Sequence, residues 1–391
     1  MAHQQLHYTV ELLGKLIAFP TISSDSNLEL IDFAAQKLEA LGATVRVSPD
    51  DTGHKANLFA TLGPEADGGI VLSGHSDVVP VAGQDWTSDP FLMREHDGRL
   101  FGRGACDMKG FIAASLAMAE HYAALPLVKP VHFAFTHDEE TGCLGAQTLV
   151  EELRDIGMKP AACIIGEPTL MRIIEGHKGC YEYTVEFSGL AGHGSLPDAG
   201  VSAVEYAVRY VSHLLSLRPE LVARCPPGSP FEPPHTTLQV GRVAGGIAHN
   251  VIADKCTVDW EMRPVQNSDA DFVKARMAEH VESDLLPAMQ AVHPDAGIVI
   301  HTLGEIAGLE AMPDSEAVKL VYELTGANTT DFVCFGTEAG LFQQIGIPAV
   351  VCGPGSIEQA HKPDEFVELN QLDQCLAMLD RLGGKLISVS Y

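Results

Sequence analysis

Residues 69–77 read GIVLSGHSD, an uninterrupted apolar run that ends in a histidine and an aspartate. A continuous apolar run of this length is typical of a parallel strand that is buried on both faces. Similar runs occur at 131–136 and 161–165, and stretches with helical spacing lie between them at 109–124 and 142–156. This alternation predicts an α/β layer with helices that flank a mixed, mostly parallel sheet.

The pattern changes near residue 180, where residues 181–187 (YEYTVEF) alternate like a strand with one face in water. The further elements predicted in this region are strands at 236–243, 251–262 and 297–303 and helices at 201–217 and 268–287. The α/β pattern then returns, with helices at 314–325 and 337–345, a strand at 349–352 and a helix from about 370. We therefore predict one α/β domain, 1–179 plus 307–391, that is interrupted by a smaller α+β domain at 180–306. At the N-terminus, apolar spacing at 7–19 and a Ser26–Glu29 capping box that starts a helix to about residue 41 predict two further helices.

The composition excludes several classes of function. The chain has 391 residues, with 52 acidic against 25 basic ones and a formal charge of −27. Such a charge argues against binding to nucleic acid or to anionic membranes, which both require basic surface. The nine cysteines form no CxxC motif and favour reduced thiols in a cytoplasmic protein. Neither a signal-peptide pattern nor an apolar run of eighteen residues is present, so no membrane segment is expected.

Polar side chains collect where the predicted strands end. Ligand-binding groups of open α/β sheets lie beyond the carboxyl ends of the strands. The residues placed there, or at the start of the helix between the first two buried strands, are His75, Asp77, Asp107, Glu139, Glu140, Glu167 and His361. Each has an ordinary explanation, such as a hydrogen-bonded core histidine, a helix N-cap or a solvated face. Carboxylates crowded at one edge repel each other, however, unless a cation lies between them.

Two histidines with several carboxylates suit Zn²⁺ or another borderline divalent ion. Three or more carboxylates for two histidines indicate two ions that share a bridging carboxylate. Asp77, two residues after His75, is a candidate to orient the imidazole. Of the adjacent pair Glu139 and Glu140, one can bind metal while the other acts as general base toward water. The spacing alone therefore predicts a two-metal hydrolase.

Five motifs resemble those of the M20 family of metallopeptidases and deacylases, over nearly the whole chain. They are GHSDVVP at 74–80, GRGACDMKG at 102–110, HDEE at 137–140, GEPT at 166–169 and QAHKPDE at 359–365. The resemblance implies a zinc-peptidase-like catalytic, metal-binding domain at 1–179 and 307–391. It also implies that 180–306 is a dimerisation or lid domain and that the protein is a homodimer.

The resemblance also implies a role for each polar residue of the edge. One zinc ion would be held by His75 and Glu167, the other by Glu140 and His361, with Asp107 bridging them. Asp107 would form a cis peptide bond with Met108. Glu139 would be the general base, and Asp77 would orient His75. Cobalt or manganese could replace zinc, because similar ligands accept all three metals.

Further candidates concern the substrate, which the family implies is a small N-acyl amino acid. His193, in the segment AGHGS at 191–195, resembles a histidine that stabilises the oxyanion, often from the partner subunit. Asn250 and Arg263 resemble contacts of the substrate carboxylate, and Lys178, Gly336 and Thr337 are additional candidates. Without the resemblance, His193 would be a histidine in a glycine-rich turn and Arg263 a surface ion-pair residue.

The patterns at 86–91 (WTSDPF), 337–339 (TEA) and 352–357 (CGPGSI) resemble one subgroup of the family. Its members remove acetate from N2-acetyl-L-ornithine in the cytoplasmic synthesis of arginine. The metal motifs do not separate this activity from N-succinyl-diaminopimelate desuccinylation, deacetylation of another amino acid or dipeptide hydrolysis. A metal-dependent binding protein without turnover is the alternative from a different class.

Overall fold

The structure, a computed structural model, describes residues 2–388. The chain forms two compact units. Unit 1 contains the residues up to Gly176, Leu309–Phe332 and those from Thr337 onward, and unit 2 contains His177–Gly308 and Val333–Gly336. The predicted domain roles stay predictions, and the ends of the predicted ranges, residue 1 and 389–391, lie outside the described residues.

The strands, in chain order, are β1 (Thr44–Pro49), β2 (Ala56–Leu62), β3 (Ile70–His75), β4 (Arg94–His96), β5 (Arg99–Phe101), β6 (Val131–Thr136), β7 (Ala162–Pro168), β8 (Ile173–His177), β9 (Cys180–Ser188), β10 (Gly192–His193), β11 (Thr237–Gly245), β12 (Val251–Ile252), β13 (Lys255–Arg263), β14 (Gly297–Ile306), β15 (Thr330–Val333), β16 (Ala349–Gly353) and β17 (Phe366–Glu368). The α-helices are α1 (Ala2–Ile17), α2 (Leu28–Ala40), α3 (Lys109–Ala123), α4 (Leu144–Asp155), α5 (Ala203–Ser216), α6 (Arg218–Ala223), α7 (Asn267–His280), α8 (Leu286–Gln290), α9 (Glu316–Thr325), α10 (Ala339–Gln344) and α11 (Leu369–Leu386).

Unit 1 is built on an eight-stranded sheet with the order β1-β2-β6-β3-β7-β16-β8-β15. The four adjacent strands β6, β3, β7 and β16 run parallel, whereas β1 with β2, β2 with β6 and β8 with β16 pair antiparallel. All residues of β3, β6, β7 and β16 are buried, as their continuous apolar runs require. The predicted α/β fold with a mixed, mostly parallel sheet is therefore confirmed.

Unit 2 contains an antiparallel sheet with the order β11-β13-β9-β14. In β9 the side chains of Tyr181, Tyr183, Val185 and Phe187 are buried, and they alternate with more exposed residues. These side chains pack in one core with apolar residues of α5 and α7. This is the α+β insert that the alternating pattern predicted. None of the helices within residues 2–388 is long and apolar enough to span a bilayer.

Several local predictions were wrong. The capping box does not form, because α2 begins after Asn27 and the Ser26 hydroxyl accepts a hydrogen bond from the N–H of Leu28 (3.2 Å). The Asn27 amide instead bonds both backbone groups of Ala56, so a contact outside the helix decides its start. The helix predicted at 7–19 begins earlier, at Ala2. The one predicted at 268–287 is interrupted by a π-helical turn, Val281–Leu285.

Candidate metal centre

A single carboxylate faces two histidines at the edge of the unit 1 sheet. His75 is the last residue of β3, and Asp107 lies just before α3. The Oδ1 atom of Asp107 is 3.0 Å from His75 Nε2, and its Oδ2 atom is 3.4 Å from His361 Nε2. The Asp107–Met108 peptide bond is cis. Each oxygen of Asp107 thus points to a different imidazole, which is the arrangement of a bridging ligand.

A second carboxylate accompanies each histidine. Glu140 Oε2 lies 3.0 Å from His361 Nε2, and Glu167 Oε1 lies 3.8 Å from His75 Nε2. Glu167 belongs to β7, and Glu140 lies in the turn between β6 and α4. The structure therefore brings together all five residues that the sequence proposed as ligands, from separate segments of the chain.

The donor atoms are close enough to share cations. Within the described residues, His75, Glu139 and Glu167 form one group whose potential ligand atoms lie within 4.8 Å of one another, and His75, Asp107 and Glu140 form a second. Glu140 Oε1 is buried and has no hydrogen-bond partner. A buried carboxylate oxygen without a partner is costly unless a cation compensates it. The donor set, imidazole nitrogens with carboxylate oxygens, fits a borderline divalent ion such as zinc.

The electrostatics of the cluster show the same need for positive charge. Burial raises the pKa of Glu139 and of Glu167 well above their usual range, and the neighbouring carboxylates add to the rise. Hydrogen bonds with Asp107 and Glu140 raise the pKa of His361 to about 10. The carboxylates lie so close together that their mutual repulsion must be compensated by a cation if they are all charged.

Asp77 connects His75 to the turn that carries Glu139 and Glu140. His75 Nδ1 is 2.9 Å from the backbone carbonyl of Asp77 and 3.6 Å from its carboxylate. The carboxylate instead accepts hydrogen bonds from the Ser23 hydroxyl (2.6 Å) and from the N–H groups of Glu139 (3.1 Å) and Glu140 (3.4 Å). The imidazole is therefore met by the main chain of Asp77, while the side chain holds the glutamate turn.

Cys106, next to Asp107, is not aimed at the cluster. Its thiol donates to the carbonyl of Ser356 at 3.2 Å, and burial raises its pKa well above the usual range. A protonated, hydrogen-bonded thiol is a poor metal ligand, because the thiolate is the form that binds.

The structure places the predicted substrate residues in different surroundings. His193, on β10, is exposed, and its Nδ1 atom lies 2.8 Å from the Ser195 hydroxyl. The pairing of β10 with β12 brings Asn250 next to it, since the carbonyl of Asn250 accepts from the N–H of Gly194 (2.8 Å). These two candidates therefore share one exposed corner of unit 2.

Other substrate candidates already have partners within the chain. The Lys178 ammonium donates to the carbonyl of Pro233 at 2.6 Å, and the Arg263 guanidinium binds Glu261 through two nitrogens at 2.7 and 3.0 Å. The buried Thr337 hydroxyl accepts from the N–H of Ala339 at the start of α10. Gly336 ends the short 333–336 segment of unit 2.

Two buried glutamates bind segments next to the candidate ligands, and the sequence did not assign this role to either of them. Glu365 is buried and accepts from the N–H groups of Cys106 (2.8 Å) and Asp107 (3.0 Å). Glu338, also buried, accepts from the hydroxyls of Ser73 (3.1 Å) and Thr136. Glu365 follows His361 in a quoted motif, and that proximity was its only signal.

A parallel sheet whose edge gathers two histidines and several carboxylates around one shared aspartate defines a class of metal-dependent hydrolases. Residues 71–383 match the Peptidase family M20/M25/M40, and the chain belongs to this family.

The chain is 36% identical to the acetylornithine deacetylase of Shigella sonnei (strain Ss046) over 366 residues, and this aligned region covers 92% of each protein. Among solved structures it is similar to the M20 family metallo-carboxypeptidase Sso-CP2 from Sulfolobus solfataricus, with a TM-score of 0.73 and 18% identity over 98% of this chain and 99% of the other. It is also similar to a dinuclear metal-binding M20 peptidase from Bacillus subtilis, with a TM-score of 0.63 and 16% identity over 97% and 98% of the two chains. The two structural similarities support the fold.

Proposed function

We propose that this protein is a two-metal amidohydrolase that removes acetate from N2-acetyl-L-ornithine and releases L-ornithine. The observation that best supports a metal-dependent hydrolase activity is the position of Asp107, whose two oxygens face His75 and His361. The substrate is supported by the similarity to the Shigella acetylornithine deacetylase over 92% of both chains. The reaction would belong to the cytoplasmic synthesis of arginine.

The residues that would hold the metals divide into two sets. His75 and Glu167 would bind one ion, Glu140 and His361 would bind the other, and Asp107 would serve both. The ions, when bound, supply the Lewis acidity that polarises an amide carbonyl and acidifies water. We propose zinc as the native metal, with cobalt or manganese as substitutes.

Glu139 would move the proton. Its turn is held by the carboxylate of Asp77, which accepts the N–H groups of both Glu139 and Glu140. In this reaction a carboxylate oxygen of Glu139 takes a proton from the attacking water and later gives it to the leaving amine. Burial, which raises the pKa of Glu139, makes its carboxylate a stronger base than an exposed one.

Unit 2 would supply groups that recognise the substrate. His193 would donate a hydrogen bond to the tetrahedral oxyanion, and Asn250 and Arg263 would contact the α-carboxylate. Because Arg263 is paired with Glu261, substrate binding there would exchange one carboxylate for another. Lys178 and Gly336 of unit 2 and Thr337 of unit 1 are further candidate substrate contacts, although Lys178 and Thr337 already bond main-chain atoms of the chain. A homodimer formed through residues 180–306 completes the proposal.

The substrate is tested by comparing kcat/KM of zinc-loaded protein for three compounds. These are N2-acetyl-L-ornithine, N-succinyl-L,L-diaminopimelate and N-acetyl-L-methionine. We expect a preference of more than about tenfold for acetylornithine, which equals about 1.4 kcal/mol of transition-state discrimination. Preference for another compound would keep the metal mechanism and move the protein to a neighbouring deacylase activity.

The catalytic role is tested with Glu139→Gln. We expect kcat to fall by about 10²–10⁴-fold, the usual contribution of a general base, with metal content unchanged. Glu358→Gln, at an exposed position three residues before His361, is the matched control and should retain full activity. Full activity of Glu139→Gln would exclude Glu139 as the base. Failure of the wild-type protein to hydrolyse any N-acyl amino acid would favour a metal-dependent binding protein.

A further inference from the structure

His361 differs from the other candidate ligands in its surroundings. Its side chain is 54% exposed, whereas those of Asp107 and Glu140 are 6% and 7% exposed. It lies on an irregular turn, and its backbone φ of 62° is in the left-handed region. A histidine on an exposed turn is not located by core packing, so something else must hold its backbone in place.

The side chain of Gln84 provides this support. Gln84 Nε2 donates to the backbone carbonyl of His361 at 2.9 Å, across 277 positions of sequence. The orientation of the amide is determined by its other end. Gln84 Oε1 accepts from Arg103 Nη2 at 2.5 Å and from Trp86 Nε1 at 3.0 Å, and both of these groups can only donate. The Nε2 atom must therefore face the carbonyl of His361.

Arg103 extends this contact to the bridging ligand. Its side chain is buried, and its Nη1 atom donates to Glu365 Oε2 at 2.7 Å. The other oxygen of Glu365 accepts from the N–H of Asp107 at 3.0 Å. A continuous path of hydrogen bonds thus runs from the backbone of Asp107 through Glu365, Arg103 and Gln84 to the backbone of His361. It joins the two ligands that face each other at 3.4 Å.

We propose that Gln84 is a positioning residue that sets the place of His361 relative to Asp107. It thereby controls the affinity of the ion held by Glu140 and His361, and not that of the ion held by His75 and Glu167. This inference rests on the proposed two-metal centre. Partners that orient metal ligands typically change metal affinity by about 10–100-fold when they are removed.

Two substitutions separate the functions of the amide. Gln84→Met has a similar length and removes both the donor and the acceptor. Gln84→Glu keeps an acceptor for Arg103 and Trp86 but removes the N–H that reaches His361. Trp86→Phe is the matched control, because it removes only the indole donor and keeps a ring beside Arg103, whose guanidinium carbon lies 5.0 Å from the Trp86 ring centre.

The measurement is titration of metal-free protein with Zn²⁺ against a chromophoric chelator, with thermal unfolding of the same metal-free samples. The wild-type protein and Trp86→Phe should bind two ions. Both Gln84 variants should keep one site at wild-type affinity and lose about 10–100-fold at the other. This split also holds if Gln84→Met folds poorly, since Gln84→Glu preserves the partner of the buried arginine.

The outcomes distinguish this inference from the proposed function. Two unchanged sites in the variants, or an equal loss at both, would overturn the role of Gln84 and leave the metal centre intact. A gain of affinity in Gln84→Glu would also overturn it, because added charge would then outweigh position. A wild-type protein that binds no second ion would overturn the two-metal proposal and this inference together.

Discussion

The substitution Glu365→Gln tests how the loop of Asp107 is held. Glu365 and Arg103 form an ion pair at 2.7 Å, and both side chains are 1% exposed. Glu365 also accepts backbone N–H groups from Gly104, Cys106 and Asp107. Burial raises the pKa of Glu365, and the Arg103 charge opposes that rise. Glutamine keeps one accepting oxygen but leaves the guanidinium buried without a countercharge.

The expected loss follows from this burial. Removing one partner of a buried ion pair costs about 3–5 kcal/mol, because the remaining charge is uncompensated. With an m-value of about 3 kcal/mol per molar urea, the midpoint of unfolding should fall by roughly 1–1.7 M. The assay is urea unfolding of metal-free protein, so that lost metal affinity does not contribute to the result.

A double variant and a surface control test whether the loss of stability comes from the uncompensated charge of Arg103. Arg103→Met combined with Glu365→Gln removes both charges, keeps an acceptor for the backbone N–H groups, and should recover stability relative to Glu365→Gln alone. Glu368→Gln breaks an exposed pair with Arg99, whose side chains are 44% and 47% exposed, and should cost less than about 1 kcal/mol. A midpoint for Glu365→Gln equal to that of Glu368→Gln would refute the assignment of a buried clamp.

Three further predictions concern other supports of unit 1. Lys55→Met removes the ammonium bonded to Asp138, next to Glu139, and should cost about 2 kcal/mol and lower kcat. His132 is buried, which lowers its pKa to about 4 from 6.5. Between pH 6.5 and 4 the unfolded chain therefore carries a proton on His132 that the folded protein lacks. Stability is lost as the pH falls through this range, by at most about 3 kcal/mol. His132→Asn should make the urea midpoint less dependent on pH in the same range. Gly166→Ala would place a Cβ 1.9 Å from Phe111 and should lower the melting temperature, at a cost of about 3 kcal/mol.

Each of these predictions has a matched comparison. Lys319→Met removes a half-exposed lysine and should leave kcat unchanged. His96→Asn, at a side chain that is 64% exposed, should keep the wild-type slope between pH 6.5 and 4. Gly384→Ala, where a Cβ would meet nothing within 4 Å, should melt close to the wild-type temperature. If a variant and its comparison behave alike, the corresponding contact does not have the assigned role.

The central strands and the candidate ligands could be predicted for the same physical reason. A strand buried on both faces must be apolar throughout, so the polar residue that follows it marks the edge of the sheet. His75 and Glu167 stand at or near the ends of such runs, and Glu139 and Glu140 follow a third. The resemblance of the motifs to those of the family then predicted which residues bind each ion and which one bridges the two.

The supporting contacts could not be predicted, because they join distant segments without a spacing pattern. Gln84 reaches the carbonyl of His361 across 277 positions, and Lys55 reaches Asp138 across 83. The start of α2 was misplaced for a related reason, since the Asn27 amide bonds Ala56 in a neighbouring strand. Local helix propensity carries no information on such contacts between distant segments of the chain.

The strand order has a consequence for synthesis on the ribosome. β16 pairs directly with β7, yet about 180 residues of chain, including all of unit 2, are made between them. At about 5–20 residues per second, the buried strand β7 waits roughly 10–40 s for its neighbour. During that interval the unpaired edge of β7 can pair with other strands or chains. We therefore expect the dependence on chaperones to be greatest while the nascent chain lacks β16.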